Sequence, residues 1–294
     1  MAEQVVTAAI AETLSHYRFG NSDPTTRLHA GEFWRATHTP DGAGTVHIDF
    51  RGDTVRAQAW GSGCDWLLQR VDAMTGASDP GFHFTDAHPA ILSAQRNHSG
   101  LRFGASFTLY HELLPTVLGQ RVTGGEGINQ WRKLVQRLGA AAPGPADLLL
   151  PPAPEDLAGQ PAWWFHPLGI EAKRAEPLRQ LAQHAARLWQ WADLAPPAAA
   201  AKLALLPGIG GWTIGSALGS ALADPDSVAV GDYHLKNIVG HALGGRARST
   251  DEQMLELLEP YRGQRGRVVR LLLAAGHSAP KFGPRQRVIS MNHW

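Results

Sequence analysis

The residues best suited to chemistry lie in segment 206–213, which reads LPGIGGWT. Gly208 and Gly210 permit tight backbone conformations that a Cβ atom would resist. The amides that follow them open a helical pattern, and the free N–H groups and positive dipole end of a helix N-terminus attract phosphate. A turn of this kind contacts the DNA backbone and does not read the bases. The segment predicts a phosphate-binding turn between two helices, and the alternative is a glycine-rich turn without a ligand.

A carboxylate, Asp232, follows Gly210 by 22 residues and comes shortly after the strand-like apolar run 228–230. A single aspartate before a helix is most often a helix cap, and this interpretation stays open. The other interpretation is a carboxylate that acts on the DNA strand held by the turn. Together, the turn and the carboxylate favour an enzyme that hydrolyses a bond in DNA.

The glycine pattern differs from two nucleotide-binding motifs. Thr213 occupies the last position of a G-x-G-x-x-G fingerprint, and no lysine stands in Walker A register. Cys64 is the only cysteine, which excludes a four-cysteine iron–sulfur cluster and a disulfide within the chain. We therefore expect no nucleotide cofactor and no required cofactor of another kind.

Composition is typical of a folded protein, since hydrophobic residues make up 44% of the 294 positions. The sequence has no apolar run of about 18 residues and no apolar segment of signal-peptide type at its start. We expect a cytoplasmic, nucleoid-associated protein without membrane contact. Residues 236–294 hold ten Lys and Arg against four Asp and Glu. This excess favours a phosphate-facing surface over an ordinary solvated one because it adjoins the turn.

Hydrophobic periodicity predicts an α+β fold. Alternation predicts a small antiparallel sheet with strands at 32–37, 45–50 and 54–60, followed by a helix over 66–74. Later spacing predicts amphipathic helices within 112–138, interrupted by Gly124, Gly125 and Gly127. It also predicts one helix each at 175–194, 198–206, 212–223 and 251–259. We expect an N-terminal mixed domain at 1–106 and a mostly helical core at 107–294. The core divides into a hairpin subdomain at about 109–223 and a remainder at about 224–294 packed against it.

The turn followed by Asp232-Tyr233-His234 resembles the signature of the helix-hairpin-helix DNA glycosylase superfamily, an L-P-G-[IV]-G hairpin and a later Asp-Tyr or Asp-x-His segment. Within it, the sequence is similar to the bacterial 3-methyladenine DNA glycosylase II group. Segments 118–122 (LGQRV) and 168–176 (LGIEAKRAE) also resemble family segments. The resemblance covers nearly the whole chain, weakly before residue 100 and strongly over 113–237.

The resemblance implies a monofunctional DNA glycosylase that starts base excision repair. Asp232 falls on the catalytic carboxylate, which stabilises the positive charge that develops on the sugar. Trp212 occupies the position of the lysine nucleophile of bifunctional relatives, and an indole cannot form a Schiff base, so no AP-lyase activity is expected. The implied substrate is double-stranded DNA with an alkylated purine, such as 3-methyladenine, flipped out of the helix.

The other expected site residues follow from the same resemblance. The DNA contacts are Gly208, Gly210, Gly211 and Thr213, with Gln120 and Arg121 as the wedge that fills the space of the flipped base. The base pocket is Trp212, Tyr233, Ser216 and Leu273. The backbone carbonyls of Ala204, Leu206 and Ile209 are the expected ligands of a monovalent cation, Na⁺ or K⁺.

Two further functions stay open on the sequence. One is a glycosylase for oxidised or deaminated bases on the same scaffold, and the other is a non-catalytic helix-hairpin-helix DNA-binding protein. A monomer is expected by analogy with repair scaffolds of this size.

Overall fold

The computed structural model describes residues 2–51 and 54–280, with side chains from residue 9 onward. The elements in chain order are α1 (Ala2–Ser15), β1 (Thr26–His29), β2 (Glu32–Thr39), β3 (Gly42–Asp49), β4 (Arg56–Trp60), α2 (Cys64–Leu68), α3 (Val71–Thr75), α4 (Pro89–Asn97), α5 (Leu109–Leu118), α6 (Gly124–Leu138), α7 (Pro154–Ala158), a 3₁₀ segment (Ala162–Leu168), α8 (Ala172–Gln183), α9 (Ala185–Trp191), α10 (Pro196–Leu203), α11 (Gly211–Ala221), α12 (Leu235–Gly244), α13 (Asp251–Leu258), a second 3₁₀ segment (Glu259–Tyr261) and α14 (Arg265–Ala274).

The N-terminal sheet is antiparallel throughout, with its strands in the order β1-β2-β3-β4. β2 and β3 pair over eight positions, from Glu32 opposite Asp49 to Thr39 opposite Gly42. Alternation along these strands buries Phe33 and Ile48 in a core shared with α1, α2 and α3. The predicted sheet is confirmed, while Gly52 and Asp53, between the second and third predicted strands, lie outside the described residues.

The main helical core is built by α5 to α11. Its centre contains Trp131 of α6 and Leu178 of α8, each fully buried, with Leu113 of α5 between neighbouring helices. The apolar faces of these helices follow the spacing expected for amphipathic helices. This core fixes both helices that flank the predicted phosphate-binding turn.

A second helical core combines distant parts of the chain. Ile91 of α4 packs with Val239 of α12, Met254 of α13 and Val268 of α14, and all four side chains are fully buried. α4, which lies within the predicted N-terminal domain, therefore packs with the C-terminal helices. No local pattern could indicate this pairing, because it joins residues far apart in sequence.

Local geometry changes other predicted elements. The single helix expected over 175–194 is two helices that meet at His184, whose backbone (φ −104°, ψ 11°) leaves the helical conformation. The side-chain Nδ1 of His184 lies 2.9 Å from the Gln180 carbonyl, which also accepts the His184 amide. Residues 228–230 are not a strand. Within the described ranges, we find no helix with the length and apolar character needed to cross a membrane.

Candidate active site

The predicted turn lies between α10 and α11, and Gly208 sets its shape. Gly208 has φ +82°, and a Cβ added there would lie 2.3 Å from Pro177 Cγ. Gly210 has φ −100° and ψ −177°, which any residue can adopt. No described atom lies within 4 Å of a Cβ placed at Gly210 or Gly211. Gly208 is therefore required by the fold, whereas the surface at Gly210 and Gly211 has room for another molecule.

Buried apolar side chains attach the turn to the main core. Leu206 is 6% exposed and Ile209 is 4% exposed. The chain enters α11 immediately afterwards, and the first amides of a helix have no acceptor within the helix. The turn therefore presents N–H donors and the positive end of a helix dipole on an open surface, as phosphate binding requires.

Gln120, at the end of α5, contacts the turn directly. Its Nε2 donates to the Gly208 carbonyl and to the Thr213 hydroxyl, both at 2.9 Å. Thr213 is 2% exposed, so its side chain faces the protein and only its amide lies at the helix terminus. Arg121 is exposed and has φ +57° in the tight turn before α6. The structure thus uses Gln120 to brace the turn and leaves Arg121 on the surface beside it.

Both carboxylate oxygens of Asp232 are held by N–H donors. Oδ1 accepts the amides of His234 and Leu235 at 2.8 and 2.9 Å. Oδ2 accepts the Trp212 Nε1–H at 3.2 Å. The two amide bonds cap the start of α12, so the cap interpretation of Asp232 is correct for this oxygen. The same half-buried carboxylate lies at the edge of a cavity, and capping therefore also fixes it in place there.

A cavity of about 360 Å³ opens beside Asp232. Gly215, Ser216 and Gly219 of α11 line one part of it. Arg270 and Leu273 of α14 line another part. The volume lies within the range of about 300–1,000 Å³ typical of small-molecule sites.

The four predicted pocket residues divide into two pairs. Ser216 and Leu273 line the cavity. Trp212 lies beside Asp232 but outside the cavity lining, and its ring carbon Cη2 is 3.3 Å from a Cβ placed at Gly119. Tyr233 is 76% exposed and meets the His234 ring edge-on at 4.9 Å. Trp212 therefore connects the turn to Asp232, and Tyr233 lies on the outer surface of the same loop.

Phe103, Arg270 and His16 also line the cavity and were not predicted from the sequence. The Arg270 guanidinium carbon lies 3.9 Å from the centroid of the Phe103 ring. Burial lowers the pKa of Arg270 to about 10, so this side chain is still a cation at neutral pH. A single arginine in the apolar run 268–275 (VVRLLLAA) was the sequence signal for it.

The predicted cation ligands are backbone carbonyls of the turn. The Leu206 carbonyl accepts the Ile209 amide at 3.1 Å, and a carbonyl oxygen has a second lone pair available. Among the described residues, no group of three or more His, Cys, Asp or Glu side chains could hold a metal ion. A carbonyl donor set fits a hard monovalent cation, and this site remains a prediction.

Several cations of the basic C-terminal region are paired with acids. The ion pairs are Lys236 with Asp251 at 3.2 Å, Arg262 with Glu259 at 2.6 Å, Arg265 with Asp226 at 2.5 Å and Arg267 with Asp79 at 2.9 Å. The charge excess counted from the sequence therefore overstates what these four residues offer to DNA.

No protein-family model matches this chain, and no curated protein sequence matches it. Solved structures do resemble it. A 3-methyladenine DNA glycosylase from Archaeoglobus fulgidus has a TM-score of 0.74 at 16% identity, over 90% of this chain and 94% of that one. An 8-oxoguanine glycosylase/lyase from Clostridium acetobutylicum, solved with double-stranded DNA containing cytosine opposite 8-oxoguanine, has a TM-score of 0.64 at 12% identity, over 87% and 88%. The chain therefore has the fold of the helix-hairpin-helix DNA glycosylases.

Proposed function

We propose that this protein is a DNA glycosylase that hydrolyses the N-glycosidic bond of a damaged base in duplex DNA. The Asp232 carboxylate carries this proposal, because three N–H donors fix it at the edge of a base-sized cavity. A DNA-binding protein without catalysis needs the turn, but it needs neither the cavity nor a carboxylate fixed beside it.

The carboxylate acts on charge that develops during bond cleavage. As the glycosidic bond breaks, the sugar gains oxocarbenium character, and a fixed anion near C1′ stabilises that state. The same carboxylate can orient the attacking water or accept its proton. Because backbone amides and the indole of Trp212 already hold Asp232, little reorganisation is needed when the charge appears.

The turn supplies affinity for the DNA backbone. Gly210 and Gly211 are exposed, and their amides would bind phosphate without reading sequence. The base must leave the stack to reach the cavity, at a cost of a few kcal/mol. We propose that Gln120 and Arg121 approach the vacated space, with Gln120 holding the turn in position and Arg121 free on the surface to stack or to contact the opposite strand.

We propose that cleavage is monofunctional. A lyase step needs an amine that forms a Schiff base with the sugar. Trp212 stands beside Asp232 and has no such group. In the described part of the chain, no lysine lines the cavity. The product would be an abasic site in an intact strand.

We propose two classes of substrate, and the first is the alkylated purines that the sequence predicted. The similar fold of a 3-methyladenine DNA glycosylase supports this class. The Arg270 guanidinium already lies over the ring of Phe103, so stacking on this cavity residue would give little selectivity for a cationic base. A glycosylase for oxidised or deaminated bases is the second candidate, and the cation of Arg270 in the cavity favours it.

A monovalent cation at the turn carbonyls of Ala204, Leu206 and Ile209 belongs to the same proposal. Na⁺ or K⁺ there would add positive charge next to a bound phosphate. We also propose that the protein acts as a monomer on double-stranded DNA.

The test is base release from methylated, oxidised and deaminated duplexes by the wild-type protein. We expect free base and an abasic site, with strand breakage only after alkali. Borohydride should trap no covalent complex, and a trapped adduct would overturn the monofunctional mechanism. Failure to release a base from all three duplexes would overturn the glycosylase proposal itself.

A further inference from the structure

Arg270 lies in the candidate site and forms no ion pair with the residues that the structure describes. Its guanidinium stacks on Phe103, and its Nη2 is 3.1 Å from a Cβ placed at Gly219. Both of these neighbours line the cavity beside Asp232. Within residues 2–51 and 54–280, the structure shows neither an ion pair nor a hydrogen-bond acceptor for this guanidinium.

Other arginines of the same helix are placed differently. Arg265 pairs with Asp226, and Arg267 makes two contacts of 2.9 Å with the carboxylate of Asp79. These two side chains are satisfied by the protein, so they have structural explanations. Arg270 is the arginine of α14 that lines the cavity, and the described residues offer no acceptor to its N–H groups.

The charge of the departing base decides what such a cation would do. When the C1′–N9 bond breaks, its electron pair stays on the base, and water adds its oxygen to C1′. A cationic base such as 7-methylguanine or 3-methyladenine leaves as a neutral molecule. A neutral base leaves with a negative charge until it takes up the proton that water loses. A fixed cation stabilises only the second kind of departure and repels the first kind of base on binding.

We infer that Arg270 is a specificity-determining residue that makes the site selective for neutral damaged purines that offer it a hydrogen-bond acceptor. This inference rests on the proposed glycosylase activity, and it favours neutral substrates over cationic ones. Hypoxanthine and 1,N6-ethenoadenine have the required chemistry, because each is neutral and carries an acceptor at position 6. A guanidinium can donate to that acceptor and stabilise the charge as the base departs. 3-Methyladenine is the poorest fit, since it is cationic and has a donor at position 6.

The experiment measures single-turnover base release from duplexes with hypoxanthine, 1,N6-ethenoadenine, 7-methylguanine or 3-methyladenine. The variants are Arg270→Met, which keeps much of the apolar stem, and Arg270→Lys, which keeps the cation. Arg262→Met is the matched control, because Arg262 is 70% exposed and pairs only with Glu259 on the surface. Circular dichroism and DNA affinity report whether each variant is folded.

For Arg270→Met, we expect the rate on hypoxanthine and 1,N6-ethenoadenine to fall by about 10²-fold or more, as for loss of a transition-state donor. The rates on the two cationic bases should stay unchanged or rise. Arg270→Lys should recover part of the lost rate, and Arg262→Met should resemble wild type on all four duplexes.

Two results would overturn the inference. An equal fall on neutral and cationic bases would show that Arg270 contacts a phosphate or supports the fold. Unchanged rates on hypoxanthine and 1,N6-ethenoadenine would show that Arg270 has no part in base release. The preference of the wild-type protein among the four duplexes tests the inference without a variant. Tighter initial binding of 3-methyladenine than of hypoxanthine would also contradict the inference. If wild type releases no base from any duplex, the proposed function fails first.

Discussion

The protein contains two clusters with the same three residue types, an arginine, a carboxylate and a histidine. The closed cluster is Arg35, Glu112 and His111, which joins β2 to α5. Arg35 is 1% exposed and its Nη2 lies 2.6 Å from Glu112 Oε1. The two ring nitrogens of His111 lie 3.1 and 3.0 Å from threonine hydroxyls. In this cluster, the charges and most polar atoms are matched by other protein groups.

The open cluster is Arg270, Asp232 and His16, which all line the cavity. Asp232 accepts three N–H groups and pairs with no cation among the described residues, and Arg270 stacks on an aromatic ring. His16 is exposed. The comparison shows that residue types alone do not distinguish a cluster that stabilises the fold from one that could act on a substrate. What separates them is whether the charges are neutralised within the protein or left facing a space that a substrate can enter.

The largest expected effect is on the closed cluster. Arg35→Met would leave the buried Glu112 carboxylate unpaired and lower the free energy of unfolding by about 3–5 kcal/mol. Arg270→Met should cost much less, because no ion pair is lost. Urea unfolding of both variants measures this. Equal losses of unfolding free energy in the two variants would show that Arg270 supports the fold as much as Arg35 does. Adding Glu112→Leu to Arg35→Met should restore part of the stability.

Two glycines of the turn give the next effect, and each serves as the control for the other. Gly208→Ala places a Cβ 2.3 Å from Pro177 Cγ at φ +82°, so we expect a loss of at least about 1–2 kcal/mol in unfolding free energy. Gly210→Ala should leave stability unchanged, because its Cβ position is open. It should weaken binding to all DNA sequences alike. A Gly210→Ala variant with wild-type DNA affinity at several salt concentrations would remove the phosphate-binding role.

The histidine of the closed cluster predicts a pH effect. Burial, with the nearby Arg35 charge, lowers the pKa of His111 well below its usual value. The folded state therefore disfavours the protonated ring. The stability contribution is present above the unfolded pKa of about 6.5 and is lost as the pH falls below it. The unfolding free energy should fall by about 1.4 kcal/mol per pH unit more in wild type than in His111→Gln. Equal pH slopes would contradict a buried neutral histidine.

The smallest effect concerns the hydrogen bonds by which Gln120, just after α5, holds the turn. Gln120→Ala removes two hydrogen bonds, to the Gly208 carbonyl and to the Thr213 hydroxyl. Each contributes about 0.5–1.5 kcal/mol, so DNA affinity should fall by up to about tenfold through a less ordered turn. Gln120→Glu is the comparison variant, since it keeps the size but has no donor when ionised. Affinities measured by fluorescence anisotropy that equal wild type for both variants would rule out this role.

Local features of this protein were accessible from sequence. The sheet follows from alternation, and the turn follows from the glycines and the apolar residues around them. Asp232 was identifiable because it lies at a fixed distance in sequence from the turn. Its two possible roles could not be separated by sequence, and the structure shows that the capping oxygen belongs to a carboxylate that also borders the cavity.

Features that depend on distant packing were not accessible. α4 packs beside α14 although the two helices are far apart in sequence, and no local periodicity predicts this contact. The hydrogen bond between the side chains of Gln120 and Thr213 is another such feature, and sequence spacing does not show it. Arg270 and Phe103 meet only because α14 and the segment before α5 border one cavity. A motif therefore locates the turn and the acid, while the walls of the cavity come from the tertiary fold.

The proposed function depends on base release by the Asp232 carboxylate, which a side-by-side comparison of two proteins measures. Wild type and Asp232→Asn are compared for single-turnover base release from methylated and hypoxanthine-containing duplexes, with DNA affinity measured in parallel. Asparagine keeps an oxygen that can cap α12, so folding and DNA binding should remain near wild type. We expect the rate to fall by at least about 10²–10³-fold in the variant. A variant that binds DNA and releases base at the wild-type rate would show that the Asp232 carboxylate has no part in base release.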